Sequence, residues 1–591
     1  MTEVERPTSM SPPPRTLVIA TAGHIDHGKT ALVRALTGID ADRLPEEKRR
    51  GITIDLGFAS MDLEQPGRTP LRISFVDVPG HALFIRNMLA GAGCVPAVLF
   101  VVAADEGIKP QTVEHLAICE LLGIAHGIIA LTKSDCVSKE QVEQAGADLR
   151  ALAGGTFLRG APVLQVSART GQGLDGLRRE LARMAEGIRA AQNGAPARLP
   201  IDRAFVMKGF GTVVTGTLLS GAMREGESLV LEPGGRGVRV RGLQTHGCAE
   251  REAFAGTRVA ANLSGIELSE VHRGQTLVAP DTLQAVSVFD AEVRLVPDAP
   301  PLRHGARLHF HAFTSEVMAT VSLYGYESVG PGSTRLARLK LDRPVVLAPG
   351  DRFVLRQPAP VATIGGGRVL DCHPLPRQRK AVALAWLEEV RNAAIPQHLV
   401  LRVKRRGTAG IRMQALAREA GVTLERTRSQ LESAFRTREI FLTGGDMLAG
   451  REAFAQIQRE SQPVQSGGEP SSAKSLRLAE IAQAYESAGL AAPLVPELAQ
   501  RFGLAESEMR GMITLLQRQK TIVRMGSDDL FMHNRALDAL AARIASMRGT
   551  VIDVGGFKQL TGLSRKYAIP LLEYFDHMRI TRKQGDRRLV L

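Results

Sequence analysis

A phosphate-binding loop motif near the amino terminus constrains the fold of this chain more than any other feature. Residues 23–30 match the pattern G-x-x-x-x-G-K-[ST] and follow an apolar run at residues 17–20. Glycines let backbone N–H groups curl around phosphate oxygens, and the N-terminus of the following helix favours their negative charge. We therefore predict that Lys29 reaches the β- and γ-phosphates of a bound nucleotide and that Thr30 holds Mg²⁺. The predicted loop residues are Gly23, His24, Ile25, Asp26, His27, Gly28, Lys29 and Thr30.

Short apolar runs alternate with helical stretches over residues 17–192. The runs at 17–20, 73–76, 98–102 and 128–131 are separated by longer segments with helical periodicity. Buried parallel strands produce such runs because helices cover both faces of their sheet. We therefore predict an α/β domain with a doubly wound parallel sheet, in which the phosphate-binding loop follows the first strand.

Further motifs occur where successive predicted strands end, which is the edge of an open α/β sheet that binds ligands. Asp77 ends the run at 73–76 and can hold Mg²⁺ through water, while Gly80 can meet the γ-phosphate. Asp135 follows the run at 128–131, and its carboxylate can accept both the N1–H and the 2-amino hydrogens of guanine, which adenine does not offer. These motifs predict a GTPase that binds GTP/GDP and Mg²⁺. Its other predicted nucleotide contacts are Lys133, Ser167 and Ala168.

The secondary-structure pattern of the remaining chain changes twice, first to β-rich runs and then to short helices with paired strands, so we predict a multidomain protein. After a linker, short β-rich runs with frequent glycines continue to about residue 373, which predicts two β-barrels, at 198–279 and 280–375. Residues 376–591 return to short helices followed by paired strands, which predicts winged-helix repeats, three of them clear. Residues 1–16 are rich in Pro and Ser and are predicted to form a disordered leader.

The net charge of +14 lies almost entirely in the last third of the chain. Residues 1–375 carry 41 basic and 39 acidic side chains, whereas residues 376–591 carry 34 and 22. This surplus predicts an anionic partner such as nucleic acid, although a merely soluble basic surface explains it equally well. No apolar run approaches the roughly 18–20 residues that span a bilayer, and the five cysteines form no C-x-x-C pair. These features predict a cytoplasmic protein with no membrane partner and no zinc site.

Two segments resemble the translational GTPases of the elongation factor Tu type: residues 50–55 (RGITID) and residues 77–81 (DVPGH). The resemblance implies that Thr53 joins the Mg²⁺ ligands when GTP is bound and that His81 orients the attacking water. It also implies that Ile25 and Ile52 form an apolar gate, which holds His81 away until the ribosome acts. Thr132 stands where these GTPases usually have Asn, so the resemblance does not extend to one side-chain contact near the base.

Within that group the chain resembles the selenocysteine-specific elongation factors over nearly its whole length after residue 15. The segments that carry this resemblance are residues 42–58, 201–205, 212–217, 562–566 and 571–576. The resemblance implies a monomeric factor that delivers selenocysteyl-tRNA to the ribosome and binds an mRNA hairpin (SECIS) downstream of a recoded UGA codon. It also implies four winged helices, of which the sequence makes three clear.

The predicted aminoacyl pocket is cationic. A selenol has a low pKa and is anionic near neutral pH, so a pocket that selects selenocysteine should offer fixed positive charge. Asp202, Arg203 and Arg258 lie where the resemblance places this pocket. Asp–Arg pairs at a barrel rim are also ordinary surface ion pairs, and both interpretations remain open.

The last predicted winged helix carries the residues expected to bind the hairpin. They are Arg565, Lys566, Arg582 and Lys583. Such a cluster can contact phosphates, while Tyr567 either stacks on a base or packs in the core. Two alternative functions stay open: an elongation or initiation GTPase with ordinary aminoacyl-tRNA cargo, and a GTP-liganded winged-helix regulator that binds nucleic acid.

Overall fold

The chain forms two compact units, Met1–Ala453 and Phe454–Leu591. No helix in the part of the chain that the structure describes is long and apolar enough to cross a bilayer. The structure, a computed structural model, describes residues 15–42, 45–50, 53–64, 70–81, 84–93, 95–188, 195–376, 378–443, 446–461, 473–519, 521–525, 530–578, 580–584 and 587–590.

The amino-terminal domain alternates strands with helices. Its strands are β1 (Arg15–Ala22), β2 (Gly57–Leu63), β3 (Leu71–Asp77), β4 (Ala97–Ala103), β5 (His126–Thr132) and β6 (Val163–Gln165). Its helices are α1 (Lys29–Thr37), α2 (Pro45–Arg50), α3 (Ile85–Ala92), α4 (Pro110–Leu121), α5 (Lys139–Ala153) and α6 (Leu174–Gly187). The strands form one sheet in the order β2-β3-β1-β4-β5-β6, in which β2 runs antiparallel to β3 and the other neighbours are parallel.

Helices cover both faces of this sheet, which confirms the predicted doubly wound α/β fold. Leu36 of α1 and Leu181 of α6 pack on one face. Met88 of α3, Leu116 of α4 and Leu149 of α5 pack on the other. Every residue of β4 is buried because this central strand has helices above and below it.

The first strand begins earlier than the sequence predicts. Arg15 and Thr16, which the prediction assigns to the disordered leader, are strand residues because they pair in register with Leu71 and Arg72 of β3. The rest of the predicted leader, residues 1–14, lies outside the described residues.

The next domain is a β-barrel. Its strands are β7 (Arg198–Met207), β8 (Gly211–Thr217), β9 (Ala222–Arg224), β10 (Ser228–Glu232), β11 (Arg236–Thr245), β12 (Cys248–Glu250), β13 (Glu252–Phe254), β14 (Arg258–Ser264) and β15 (Thr276–Val278). The main sheet runs β10-β15-β7-β8-β14-β11, and β11 also pairs with β10, which closes the ring. Alternating apolar residues such as Val259, Ala261 and Leu263 fill the interior, since side chains on a strand point alternately inward and outward.

A second barrel follows. Its strands are β16 (Ala285–Leu295), β17 (Leu302–Arg303), β18 (Ala306–Ala312), β19 (Ser315–Leu323), β20 (Ser328–Val329), β21 (Thr334–Val346), β22 (Arg352–Pro358) and β23 (Val361–Asp371). Six of them close in the order β16-β21-β19-β18-β22-β23. The rings of Phe289, Phe310 and Phe353 pack against one another at the centre, with centroids 5.1–5.9 Å apart.

The carboxyl-terminal part contains three winged-helix arrangements among the described residues, each with a small sheet beside a helix-turn-helix. The first has α7 (Lys380–Arg391), α8 (Ile395–Lys404), β24 (Ile411–Arg412), α9 (Met413–Ala420), α10 (Leu424–Arg436), β25 (Ile440–Thr443) and β26 (Met447–Gly450), and is followed by α11 (Arg451–Ser461). The second has α12 (Ala473–Ala488), α13 (Val495–Phe502), α14 (Glu506–Arg518), β27 (Ile522–Met525) and β28 (Leu530–His533). The third has α15 (Asn534–Ala545), β29 (Val551–Asp553), α16 (Val554–Thr561), α17 (Arg565–His577), β30 (Thr581–Gln584) and β31 (Arg587–Val590).

Candidate functional site

The phosphate-binding loop connects β1 to α1, as the sequence predicts. Gly23 has a φ of +143°, and a Cβ at this position would collide with the carbonyl oxygen of Val101, so glycine is required there. Lys29 folds back over the loop, where its Nζ donates to the carbonyl oxygens of Gly23 at 3.1 Å and His24 at 2.7 Å. Burial lowers the pKa of Lys29 to about 8. The loop therefore holds a buried amine that an anion can draw away from these carbonyl groups.

Three predicted Mg²⁺ ligands converge at the end of β3. The Thr30 hydroxyl donates to Asp77 Oδ2 at 2.6 Å and lies 2.8 Å from the Thr53 hydroxyl oxygen. The Thr53 hydroxyl donates to Asp42 Oδ1 at 2.9 Å, so both hydroxyl hydrogens are directed at carboxylates. Burial raises the pKa of Asp77 above its ordinary value. A cluster of oxygens that includes the buried carboxylate of Asp77 and the partly exposed carboxylate of Asp42 fits a hard divalent cation.

Gly80 lies against the phosphate-binding loop. A Cβ on Gly80 would come within 2.7 Å of the Ile25 backbone nitrogen and would also collide with the Lys29 ammonium. His81 follows, partly exposed, with its ring centroid 5.8 Å from that of Phe84. Ile25 is partly buried, whereas Ile52 lies outside the described residues, so the apolar gate stays a prediction.

Two of the predicted phosphate-side residues and the four predicted base-side residues line one cavity of about 910 Å³. From the phosphate side Gly28 and Thr30 line it. From the base side it is lined by Lys133, Asp135, Ser167 and Ala168. Because β1, β5 and β6 are parallel, their carboxyl ends bring these motifs to the same edge of the sheet.

Two contacts on the base side are not anticipated by the sequence. Arg169 pairs with Asp135 at 2.6 Å, and the Ser167 hydroxyl together with Arg169 holds the pKa of Asp135 below its ordinary value. In the sequence, the one signal for this ion pair is the position of Arg169 directly after Ser167 and Ala168. The Thr132 hydroxyl donates to the carbonyl oxygen of His27 at 2.7 Å. Thr132 therefore ties the base-binding edge to the phosphate-binding loop from the position where related GTPases have Asn.

The three barrel residues predicted for the aminoacyl pocket divide into two groups. Arg258 on β14 makes two hydrogen bonds to Asp202, at 2.5 and 3.0 Å, and its guanidinium carbon lies 3.4 Å from the centroid of the Phe58 ring. Arg258 and Phe58 line a cavity of about 400 Å³ between the α/β domain and the first barrel, together with Gln244. Arg203 pairs with Asp55 at 2.8 Å, and its guanidinium carbon lies 5.2 Å from the centroid of the same Phe58 ring.

The basic residues predicted for the hairpin lie on the third winged helix. Arg565 and Lys566 are exposed at the first turn of α17, and Arg582 and Lys583 are exposed on β30. The Tyr567 hydroxyl donates to the carbonyl oxygen of Ala492 at 3.2 Å, and its ring packs against the apolar core of this unit. Of the two readings of Tyr567, this contact favours the structural one.

Comparison with known protein families identifies four segments. Residues 14–187 match the elongation factor Tu GTP binding domain and residues 211–278 match elongation factor Tu domain 2. Residues 290–376 match the selenocysteine-specific elongation factor beta-barrel domain, and residues 543–590 match the elongation factor SelB winged helix. The amino-terminal domain is therefore a guanine-nucleotide-binding GTPase domain of the elongation factor Tu type, and the predicted fold class is confirmed.

Whole-chain relatives agree with these segments. The selenocysteine-specific elongation factor of Desulfomicrobium baculatum is 36% identical over 97% of this chain and 99% of its own length. The crystal structure of a bacterial selenocysteine-specific elongation factor, EF-Sec, aligns with a TM-score of 0.62 and 27% identity, over 98% of this chain and 100% of that chain. A structure of SelB from Methanococcus maripaludis, in complex with the GTP analogue GppNHp, aligns with a TM-score of 0.53 and 29% identity, over 61% of this chain and 80% of that chain. With its GTPase domain, its barrels and its winged helix all matched, the chain belongs to the selenocysteine-specific elongation factor family.

Proposed function

We propose that this chain is a GTP-dependent factor that delivers selenocysteyl-tRNA to the ribosomal A site at recoded UGA codons, while its winged helices bind an mRNA hairpin (SECIS). The observation that carries the proposal is the Arg258 guanidinium at the wall of the cavity beside β2, where a fixed cation suits an anionic selenolate. Similarity to the Desulfomicrobium factor over 97% of the chain supports this cargo. The factor acts as a monomer in the cytoplasm.

GTP binds along the carboxyl edge of the α/β sheet in this proposal. Backbone N–H groups of the loop from Gly23 to Lys29 surround the phosphates, and the Lys29 ammonium leaves the loop carbonyls to meet the β- and γ-phosphates. Asp135 accepts the guanine N1–H and 2-amino hydrogens, and Ser167 and Ala168 cover the base. The GTP analogue bound by the Methanococcus relative supports this assignment.

Thr30, Thr53 and Asp77 would hold Mg²⁺, with Asp77 acting through water. The closely spaced oxygens and the raised pKa of the buried Asp77 support this choice. When bound, Mg²⁺ neutralises negative charge on the β- and γ-phosphates. Thr53 thereby ties the position of the segment that follows it to the nucleotide site.

His81 orients the water that attacks the γ-phosphate, while the Gly80 backbone N–H meets that phosphate. Ile25 and Ile52 keep the imidazole away from the water until the ribosome moves it. The partial exposure of His81 and the close packing of Gly80 on the phosphate-binding loop support these roles. Proton transfer and charge stabilisation then depend on groups that are brought into place only in the ribosomal complex.

Selenocysteine is chosen over serine and cysteine by charge. Asp202 holds the Arg258 guanidinium with two hydrogen bonds. One face of the guanidinium stacks on the Phe58 ring. An ionised selenol gains an ion pair there, whereas a serine hydroxyl and a cysteine thiol with a pKa of about 8.5 remain mostly neutral at pH 7.

The third winged helix binds the mRNA hairpin through phosphate contacts from Arg565, Lys566, Arg582 and Lys583. Their exposure on two adjacent elements, α17 and β30, supports this surface. Simultaneous binding of hairpin and tRNA raises the local concentration of the tRNA near the recoded codon.

The deciding experiment compares the affinities of selenocysteyl-, seryl- and cysteinyl-tRNA in the presence of GTP. We expect selenocysteyl-tRNA to bind at least tenfold more tightly, because a hydrogen bond to a charged group contributes about 1.5–3 kcal/mol. Equal affinities would exclude the proposed cargo and favour an ordinary elongation or initiation GTPase. Tighter binding of duplex DNA than of any hairpin from the region of a UGA codon would favour a winged-helix regulator.

A further inference from the structure

The carboxylate of Asp135 is occupied by donor groups of its own chain. Arg169 Nε donates to Asp135 Oδ2 at 2.9 Å, and Arg169 Nη2 lies 2.6 Å from the same oxygen. The Cys136 thiol makes a weaker hydrogen bond to Oδ2, with its Sγ at 3.7 Å. The Ser167 hydroxyl also forms a hydrogen bond with this carboxylate. The group proposed to recognise guanine therefore has four donor atoms around it, and three of them lie against Oδ2.

Guanine needs an acceptor on each oxygen of Asp135. Its N1–H and one hydrogen of its 2-amino group point in parallel, so they match one lone pair on Oδ1 and one on Oδ2. A carboxylate oxygen has two lone pairs, and three donor atoms already contact Oδ2. Because the thiol is only a weak donor, the guanidinium is the group that blocks this oxygen. The base can therefore complete its second hydrogen bond only when Arg169 gives up its place on Oδ2.

Arg169 is the more exposed partner of this pair. It lies on the loop between β6 and α6 with its side chain 77% exposed, whereas the side chain of Asp135 is 11% exposed. Both residues line the nucleotide cavity of about 910 Å³. Exposed ion pairs contribute little free energy, because water solvates both charges once they separate. A base that enters the cavity can therefore displace the guanidinium into water at low cost.

The other cation on the base side of the cavity is directed away from Asp135. Lys133 Nζ donates to Asp105 Oδ2 at 3.1 Å and to Glu106 Oε1 at 3.2 Å. Lys133 therefore has carboxylate partners of its own. In the part of the chain that the structure describes, Arg169 is the one lysine or arginine that pairs with Asp135.

We propose that Arg169 competes with the guanine base for Asp135 Oδ2 and thereby sets the affinity and the base selectivity of the nucleotide site. This inference rests on the guanine recognition by Asp135 proposed above. GTP and GDP carry the same base, so the competition weakens both equally. Hypoxanthine lacks the 2-amino group and needs only one acceptor, so its nucleotides bind without displacing Arg169. The competition therefore narrows the preference of the site for guanine over hypoxanthine.

The test measures the affinities of the full chain for GDP, a non-hydrolysable GTP analogue and inosine diphosphate. Arg169→Ala should raise the affinity for both guanine nucleotides by about fivefold, as expected for loss of an exposed ion pair, and leave that for inosine diphosphate unchanged. Arg169→Lys should give an intermediate value, since an ammonium contacts Oδ2 through one nitrogen. Arg183→Ala is the matched control, because it removes a similarly exposed pair with Glu180 outside the cavity, at 78% and 23% exposure. Unchanged or weaker guanine nucleotide binding in Arg169→Ala would overturn the proposal.

Ionic strength tests whether the competitor acts as an ion pair. Salt screens exposed charges, so it weakens the contact between Arg169 and Asp135. The GDP affinities of wild type and Arg169→Ala should therefore approach each other as the salt concentration rises. Salt effects on the phosphate groups are common to both proteins and cancel in this ratio. A ratio that stays constant or grows with salt would contradict the competition.

A double-mutant cycle separates the competition from the base assignment. In the Asp135→Asn background, Arg169→Ala should no longer raise GDP affinity, because the carboxylate for which the two groups compete is gone. If Asp135→Asn loses its preference for guanine but Arg169→Ala binds GDP as the wild type does, the base assignment stands and the competition is wrong. If Asp135→Asn keeps its preference for guanine, the base assignment is wrong and the competition falls with it.

Discussion

Arg402 Nη1 of α8 donates to Asp371 Oδ1 of β23 at 2.9 Å, and both side chains are almost completely buried, at 0% and 1% exposure. The pair joins the second barrel to the first winged helix. Arg405 also donates to Asp371, at 2.6 Å, and stacks on the Trp386 ring at 4.0 Å. Glu419 of α9 pairs with Arg402, Arg405 and Arg406, which balances most of the buried positive charge.

Asp371→Ala should strongly destabilise this junction. Removing one partner of a buried ion pair leaves an uncompensated charge and costs about 3–5 kcal/mol. Thermal unfolding of the full chain should begin at a lower temperature, and protease cleavage between β23 and α8 should become faster. Asp298→Ala, at an exposed position of the same barrel, is the control and should unfold as the wild type does.

The same junction predicts a specific pH dependence. Burial alone would raise the pKa of Asp371, but Arg402 and Arg405 hold it well below the ordinary value. A carboxylate whose folded pKa is depressed stabilises the fold above its unfolded pKa of about 3.9 and loses this effect as the pH falls further. The stability difference between wild type and Asp371→Ala should therefore be constant from pH 7 to about pH 5 and shrink below about pH 4. A difference that fell between pH 7 and pH 5 would contradict this account.

His81→Ala should retain GTP binding and lose ribosome-stimulated hydrolysis. A side chain that orients or deprotonates the attacking group contributes about 10²–10⁴-fold to the rate. Single-turnover hydrolysis with ribosomes measures the loss, and nucleotide affinity measured by fluorescence is the internal control. Wild-type turnover in this variant would refute the role given to His81.

Gly80→Ala should abolish tight GTP binding. The added Cβ would meet the backbone nitrogen of Ile25 at 2.7 Å and displace the Lys29 ammonium. Gly176→Ala is the matched control because nothing lies within 4 Å of a Cβ there and Gly176 belongs to α6. Since alanine favours a helix over glycine by roughly 1 kcal/mol, the control should bind GTP normally and be at least as stable as the wild type. Normal GTP affinity in Gly80→Ala would contradict the phosphate-side geometry.

Asp135→Asn should change the base preference. Replacing one carboxylate oxygen by an amide donor removes an acceptor for guanine and offers a hydrogen to the 2-oxo group of xanthine. A site whose polar group is mismatched to its ligand discriminates by about 10²-fold or more, so GTP should bind more weakly and xanthosine triphosphate more tightly. Competition between the two nucleotides measures the change. Retained preference for GTP would place guanine recognition elsewhere.

Replacing Arg565 and Lys566 by alanine should abolish binding of the mRNA hairpin without affecting GTP. Each lost phosphate contact also lowers the salt dependence of binding, so the slope of log affinity against log salt should fall by about one per residue. Arg477→Ala, at an exposed residue of α12, is the control. Unchanged hairpin affinity would move the RNA surface away from the start of α17.

The nucleotide site is the part of the protein that the sequence predicts most completely. Gly28, Thr30, Lys133 and Asp135 each follow an apolar strand, and parallel strands must bring such positions to one edge. Their convergence thus needs no knowledge of long-range contacts. The sequence shows that Thr132 replaces the usual Asn, but it does not indicate what the threonine binds. Its hydrogen bond to the carbonyl oxygen of His27 is visible only in the folded loop.

Charge counts alone misjudge the carboxyl-terminal region. Residues 376–453 carry 15 basic and 8 acidic side chains, and residues 543–590 carry 10 and 4, so the surplus is divided between two winged helices. In the first of them, Arg402 and Arg405 are buried in ion pairs with Asp371 and Glu419. Basic side chains therefore form a buried junction in the first winged helix and an exposed surface in the third.

The sequence by itself determined the fold class and the nucleotide motifs, because these are encoded in local periodicity and short spacings, and it indicated the family through the resemblance of several segments. Only the tertiary structure decided what the barrel arginines do. Arg203 and Asp55 are separated by 148 positions, and no pattern along the chain indicates that they meet. Packing of the barrel against the α/β domain pairs Arg203 with Asp55 of that domain, whereas Arg258 pairs with Asp202 of its own barrel and lines the cavity between the two domains.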